Sequence, residues 1–386
     1  MRIAHIMFNG PYTENMTYQD NLLPAAHAQL GHEVVMIASC YTWHKNQVES
    51  VAPCDYIMAD GVRLIRLPMN KVGGVSFLEQ KVRYVPELFG CLQRIAPDWI
   101  MLHDPQMQST KDVCRYVEQY QCGFVVDSHA DVHNSGRNLL SRYVLHKLYY
   151  RHFMQMAAHY AQKIYYPSLE TKQFMLEEYG VPEQKMEYLP LGGLIRPEKE
   201  YRQIRMVRRA ELALIPEDVL IVHSGKLAPG KKTVELLTAF LQVKNPRAHL
   251  AIIGSADDPI IQNALEEATN TDSRIHYLGW KSGDELQEYL CAADIYAQPG
   301  TQSATMQNAA CCGCAEILYP YSSHKTLLGD AVLYVEDTVQ LTQMLRDLVD
   351  DPELLRKKKQ QVFQVACEKL DYCKQAERIL NTGKTC

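Results

Sequence analysis

Two lysines five residues apart, Lys226 and Lys231, bracket the short loop Ala228-Pro229-Gly230. Proline and glycine favour a tight turn there, and such a turn can fold both ammonium groups toward one anion. Ser303, Ala304 and Thr305 stand where a helix is expected to begin. Backbone N–H groups at a helix start, with the helix dipole behind them, favour a phosphate. His129 falls just after the apolar run Phe124–Val126, with Asp127 and Asp131 flanking it, and His103-Asp104 closes another such run. Each feature has a plainer counterpart: solvated lysines on a loop, a Ser/Thr helix cap, a structural or surface histidine. The residue types alone leave both readings open.

Other chemistries find less support. Of the 12 cysteines, most sit in apolar segments, as Cys91, Cys114, Cys291 and Cys367 do, and read as buried thiols behaving as small hydrophobes. The cluster Cys311, Cys312, Cys314 has no second Cys/His pair nearby at zinc-like spacing, so no metal and no cofactor is expected. The segment Phe8-Asn9-Gly10-Pro11-Tyr12 after the first strand lacks the Gly-x-Gly-x-x-Gly of a dinucleotide site. A net charge of −5 argues against a protein built to coat nucleic acid. No apolar run approaches the roughly 18 residues that span a bilayer, and the N-terminus lacks a secretory pattern. The expected location is cytoplasmic.

These residues need elements to position them. An opening strand, Arg2–Phe8, is followed by the loop Asn9–Thr17, a helix over Gln19–Leu30 closed by Gly31, and a strand over Glu33–Ala38. Short apolar runs at Arg63–Leu67, Trp99–Leu102, Phe124–Val126 and Ile164–Tyr166 alternate with helical stretches at Leu78–Ile95, Lys111–Gln121, Leu139–Tyr160 and Glu170–Tyr179. Continuous apolar runs are the mark of buried parallel strands. After Leu189-Pro190-Leu191-Gly192-Gly193 and a charged stretch, Arg196–Arg209, the alternation starts afresh. The expected fold class is α/β, two doubly wound Rossmann-like domains facing a cleft, with boundaries at 1–192 and 193–369 and a C-terminal helix, Asp371–Leu380, returning to the first domain. Ligands of such sheets bind beyond the carboxyl ends of the strands.

Five segments in order resemble glycosyltransferase family 4, retaining sugar transferases of the GT-B fold. They are LGHEVVMIAS, IYYPSLETKQFMLEEYGVPEQKMEYLPLGG, HSGKLAPGKKTVELLTAF, IHYLGWKSGDELQEYLCAADIYAQPG and MQNAACCGCAEIL. The resemblance covers nearly the whole chain. It implies a donor bound by Lys226 and Lys231 and by the helix start at Ser303, Ala304 and Thr305, because the leaving diphosphate gathers charge that fixed cations and N–H donors stabilise. It assigns His129 contact with the transferred sugar. It leaves Asn15, Thr17, Tyr18, His103 and Asp104 to line the cleft on the acceptor side.

The chain departs from the family where two glutamates usually hold the donor. Asn308 occupies the second position, and Gln302 or Ser303 falls nearest the first. An amide or hydroxyl there removes charge-assisted hydrogen bonds. Lys226 stands in place of a more usual arginine, and Lys232 where glycine is common. The resemblance thus implies sugar transfer from a nucleotide-sugar to a glycan or polyprenyl-linked acceptor in bacterial cell-surface polysaccharide synthesis. The alternatives are a degenerate protein that binds nucleotide or a partner without transfer, and a nucleotide-sugar epimerase. Basic and aromatic residues over Arg142–Tyr166 suit either a peripheral contact with the inner membrane face or an amphipathic helix packed on the sheet.

Overall fold

The computed structural model describes residues 1–44, 47–70, 76–131, 135 and 141–382. Two compact units divide the chain: Met1–Pro190 with Tyr372–Cys386, and Leu191–Asp371. The expected helix Leu139–Tyr160 begins outside the described residues; the helical stretch is described from Ser141 to Tyr160.

Among the described residues the first unit holds ten strands: β1 Arg2–Met7, β2 Glu33–Ser39, β3 Tyr41–His44, β4 Gln47–Ser50, β5 Cys54–Ile57, β6 Arg63–Leu67, β7 Trp99–His103, β8 Gly123–Asp127, β9 Lys163–Tyr166 and β10 Met186–Tyr188. Eight of them form one sheet in the order β10-β9-β8-β7-β1-β2-β6-β5, parallel except for the antiparallel edge strand β5. The order reverses between β1 and β7, which makes that point the crevice where a ligand is expected. β3 and β4 form a separate antiparallel hairpin.

Two differences from the sequence-based expectation have local causes. The stretch Leu78–Ile95 is not one helix but two, Ser76–Val82 and Leu88–Ile95. Pro86 between them lacks a donor N–H and restricts the preceding residue. Strands β3 to β5 went unrecognised because residues such as Gln47, Glu49 and Asp55 are polar and exposed, so no apolar run marks them.

The C-terminal helix Tyr372–Asn381 belongs to the first unit and packs on the helix Gln19–Gln29. Tyr372, Ala376, Ile379 and Leu380 are buried there, each large apolar side chain worth about 1.5–3 kcal/mol. The Tyr165 hydroxyl meets Thr382 Oγ1 at 2.6 Å. In the Arg142–Tyr166 segment, Tyr150 and Phe153 are buried in the core and Tyr149 packs against it, which is the packing of a core helix. No described helix is long and apolar enough to cross a membrane.

The second unit carries β11 Val219–Ser224, β12 Ala248–Ile253, β13 Ile275–Gly279, β14 Ile295–Gln298, β15 Ala315–Leu318 and β16 Leu333–Tyr334, all parallel in the order β13-β12-β11-β14-β15-β16. Its order reverses between β11 and β14. The charged stretch before β11 is a helix, Glu198–Glu211, whose arginines have a buried target. Asp294, just before β14, accepts from Arg205 Nη2 at 2.6 Å, Lys359 Nζ at 2.8 Å, Arg209 Nη1 at 3.1 Å and the Leu220 N–H at 3.1 Å. Burial opposes ionisation, but the charges of Lys359 and Arg205 hold this carboxyl at about 2. Removing it strands three cations at one spot. Asp294→Ala is expected to cost the second unit about 3–5 kcal/mol, seen in urea unfolding as a lower midpoint. A shift below about 1 kcal/mol would show the cations solvated instead.

Candidate active site

In the first unit the carboxyl ends of β7 and β8 lie side by side, with His103 registered against Asp127. His103 Nδ1 and Asp127 Oδ2 are 2.9 Å apart. The same oxygen accepts from Gln19 Nε2 at 3.1 Å and lies 3.6 Å from His129 Nε2. Asp104, in the left-handed region at φ 52°, turns its Oδ1 to accept the His129 N–H at 2.9 Å and the Ser128 hydroxyl at 3.0 Å. Asp104 therefore fixes the backbone that carries His129. Burial of the half-exposed His129 disfavours its charge, but hydrogen bonding to Asp127, with Asp127, Asp104 and Asp20 nearby, raises it to about 9. Asp127 is driven well below the ordinary carboxylate range by His103 and His129, against the cost of its burial. The result is a cationic imidazole at the edge of the sheet at neutral pH, suited to a hydroxyl or an anion.

The loop ahead of the first helix is stapled from below. Buried Arg66 donates to the Ser39, Tyr41 and Tyr12 carbonyls and pairs with Glu14 at 3.3 Å. Asn15 sits in a turn at φ 59° and is exposed, as is Tyr18 at the helix start; Thr17 is half-buried. Among the described residues none of these three side chains hydrogen-bonds to the histidine cluster. Their neighbour Gln19, which sequence reasoning did not select, does.

A cavity of about 280 Å³ opens at the carboxyl ends of β1, β2 and β6. Tyr41 and Trp43 of the hairpin, Asn9 and Gly10 after β1, and Lys81 and Arg83 line it. The Tyr41 hydroxyl is held by Glu79 at 2.9 Å. Sequence reasoning missed this group because it depends on the unrecognised hairpin.

In the second unit the loops after β11 and β14 meet across the strand-order reversal. Lys231 Nζ donates to the carbonyls of Thr301 at 3.1 Å and Gln302 at 2.9 Å, and the Thr301 N–H bonds the Gly230 carbonyl at 2.8 Å. Gly300 permits this approach: a Cβ there would lie 2.2 Å from the Gly230 oxygen. Desolvation lowers the Lys231 pKa. Lys226 is exposed, 3.8 Å from exposed Asp257, a pairing of little strength that leaves it available to a ligand. Lys232 adopts φ 57°, the left-handed geometry that explains why glycine suits its position. The helix Thr305–Cys311 starts as expected, with Ser303 Oγ accepting the Thr305 N–H at 3.3 Å and Ala304 as its cap without a side-chain bond. Gln302 Nε2 is turned to Ser323 Oγ at 2.8 Å. Asn308 Oδ1 is buried without a hydrogen-bond partner. Glu316 on β15, also not singled out by sequence, is fully buried with neither oxygen partnered among the described residues, and burial pushes its pKa far up. Among the described residues no group of three or more His, Cys, Asp or Glu is placed to hold a metal ion.

Residues 21–192 match the family model of the glycosyl transferase 4-like domain, and residues 218–351 match that of glycosyl transferases group 1. A search of curated proteins by sequence finds no match. Similar solved structures include sucrose-phosphate synthase from Thermosynechococcus elongatus, at 14% identity, TM-score 0.64 and 98% coverage of each chain. HepE of Anabaena in complex with UDP and glucose is similar at 13% identity and TM-score 0.60 over 100% of each chain. So is a putative UDP-N-acetylglucosamine 2-epimerase from Listeria monocytogenes, at 12% identity and TM-score 0.61 over 98% of this chain and 94% of that one.

The loops after β11 and β14 rest on a histidine. Buried His223 on β11 donates from Nδ1 to the Ala297 carbonyl at 2.8 Å, so its Nε2 accepts from the Thr233 hydroxyl at 3.0 Å. Burial lowers its pKa to about 4. An unfolded histidine takes a proton near 6.5, so between pH 6.5 and 4 the unfolded chain binds more protons. The stabilisation is complete above 6.5 and lost as pH falls toward 4, roughly 3 kcal/mol for a change of that size. Unfolding of the second unit should show a midpoint falling across that window, with the slope reduced in His223→Gln. An unchanged slope in that variant would assign the pH dependence to other groups.

Proposed function

The chain belongs to the glycosyl transferases, a 4-like domain followed by a group 1 domain in the GT-B fold, and we propose that it moves a hexosyl unit with retention from a uridine diphosphate sugar to a glycan or polyprenyl-linked acceptor. One observation carries the donor assignment. The loops after β11 and β14 meet at the strand-order reversal of the second sheet, where Lys231 is held against the carbonyls of Thr301 and Gln302. A diphosphate entering there offers Lys231 a stronger acceptor than two neutral carbonyls, with Lys226 free to turn toward it and the N–H groups near Thr305 beside it. The UDP complexes of HepE support the choice of base. The family resemblance supports retention.

In the first unit His129 meets the transferred sugar as a fixed cationic donor, with Asp104 holding its backbone and Asp127 facing its ring. The cavity of about 280 Å³ is the acceptor pocket. A sugar ring stacks on Tyr41 or Trp43, as aromatic faces favour, and Lys81 and Arg83 suit an acceptor bearing phosphate. Such an acceptor, carried on a polyprenyl chain in cell-surface polysaccharide synthesis, would bring the protein to the inner face of a membrane from the cytoplasm. Charge on the leaving diphosphate is neutralised by Lys226, Lys231 and N–H donors, so transfer is expected to continue in EDTA.

The test is a thermal-shift panel of UDP, GDP, ADP and CMP with their sugars, followed by a transfer assay. A ligand at 100-fold its Kd stabilises by about 2.7 kcal/mol, and UDP should shift the wild type but not Lys226→Ala/Lys231→Ala. Transfer by the double variant should fall by roughly 100-fold or more. Binding without turnover of any donor would mean a degenerate site. Conversion of the donor with no acceptor present would identify an epimerase.

A further inference from the structure

Behind His129 a chain of buried rings runs the depth of the first sheet. His103 Nε2 meets His5 Nδ1 at 3.0 Å, His5 Nε2 meets His27 Nδ1 at 3.0 Å, and His27 Nε2 meets the Ala376 carbonyl of the C-terminal helix at 3.2 Å. All three rings are buried, His5 and His27 completely. With His103 Nδ1 on Asp127 Oδ2 at 2.9 Å, the chain has an acceptor at each end.

Counting hydrogens decides its charge. A carbonyl oxygen and a carboxylate can only accept, so each end needs one N–H. Each of the two ring-to-ring contacts also needs one. Four N–H groups are required, and three neutral imidazoles carry three. We propose that the chain stores one additional proton, resident on His103, and that His5 and His27 are positioning residues which keep Asp127 ionised beneath His129 while the C-terminal helix is docked.

The surroundings agree with the count. Burial, with His27 and His103 beside it, pushes His5 well below the ordinary imidazole range. Burial also lowers His27 to about 4, with His32 and His103 nearby. His103 is raised despite its burial, because Asp127 faces it and Asp20 lies near, with His129 opposing. Of the groups around the chain, Asp20 and Gln19 come from the first helix, Asp104 follows β7, Asp127 ends β8 and His129 lies in the loop after it. In the neutral alternative with His103 donating to Asp127, every N–H turns round and a bare His27 nitrogen faces the Ala376 oxygen. In the other, Asp127 must take the proton and ceases to be an anion for His129. The Ala376 carbonyl thus sets the polarity of the chain and links helix docking to charge at the sheet edge. The role of this charge in transfer rests on the reading of His129 above; the proton count does not.

The test is nitrogen-resolved NMR of the histidine rings in the full chain at pH 8. In the wild type His103 should show both nitrogens protonated, with His5 and His27 as neutral Nε2–H tautomers. His27→Leu removes the far acceptor, leaving two rings with two contacts to satisfy, and the imidazolium signal of His103 should be lost. His27→Gln donates to Ala376 and accepts from His5, so it should restore that signal, which a merely structural defect would not. Three neutral rings in the wild type, or loss of the signal in His27→Gln as in His27→Leu, would overturn the proposal. If His27→Leu does not fold, the wild-type and His27→Gln spectra decide it. A stored proton in a protein that transfers no sugar would sink the transferase reading and leave this one standing. In an active enzyme, His27→Leu should lower kcat on the alkaline side of the pH profile more than it raises KM.

Discussion

One carboxylate oxygen gathers the chemistry of the first unit. Asp127 Oδ2 stands at the end of β8, beside the strand-order reversal, and takes contacts from Gln19, His103 and His129. Those residues come from the first helix, β7 and the loop after β8. A buried carboxylate must be paired or it will not stay ionised, so each of these elements is held in place by a group that also sets the charge. Arg66 applies the same constraint to the loop Tyr12–Glu14, which leads into the helix that presents Gln19. Moving any one element would take a partner from a buried ion, and hydrogen bonds to charged groups are worth more than ordinary ones.

The second unit meets the requirement differently. Its buried carboxylate, Asp294, lies before β14, at the end of the sheet opposite the candidate site, and is neutralised by Arg205, Arg209 and Lys359. At the carboxyl edge the charges are cations on loops instead. Lys231 rests on backbone carbonyls, and Lys226 is nearly free. Ion pairing thus serves stability at one end of the sheet, while at the other end the lysines are weakly paired, Lys226 only with exposed Asp257.

Much of this is legible in the residues. Continuous apolar runs give the parallel strands because both sheet faces are covered, and the spacing of Lys226 and Lys231 across a Pro-Gly turn marks the anion loop. What stays hidden depends on long-range partners. His5 and His27 look like ordinary residues of an apolar strand and a helix; only the pairing of β1 with β7 brings His5 to His103, and only the docking of the C-terminal helix gives His27 its Ala376 acceptor. The hairpin carrying Tyr41 and Trp43 has no apolar run because it lies outside the main sheet. The helix Glu198–Glu211 reads as a mere charged stretch because its arginines are ordered by Asp294, 85 residues from Arg209.

One acid, Glu316, stands on the strand beside β14 and is the natural substitute for the carboxylate absent at Asn308. Register argues against that exchange. Glu316 pairs with Tyr296 within the sheet, on the face opposite Ala297 and Ile317 of the main core, and is fully buried with no partner for either oxygen. Burial disfavours the charged form of such a carboxyl, which is the form a ribose or a sugar would be bound by. Among the described residues Asn308 Oδ1 is likewise buried without a hydrogen-bond partner, and a neutral amide supplies no anion. Under the proposed function the diphosphate is held by the two lysines and the N–H groups near Thr305, with a neutral amide at Asn308 in place of a carboxylate.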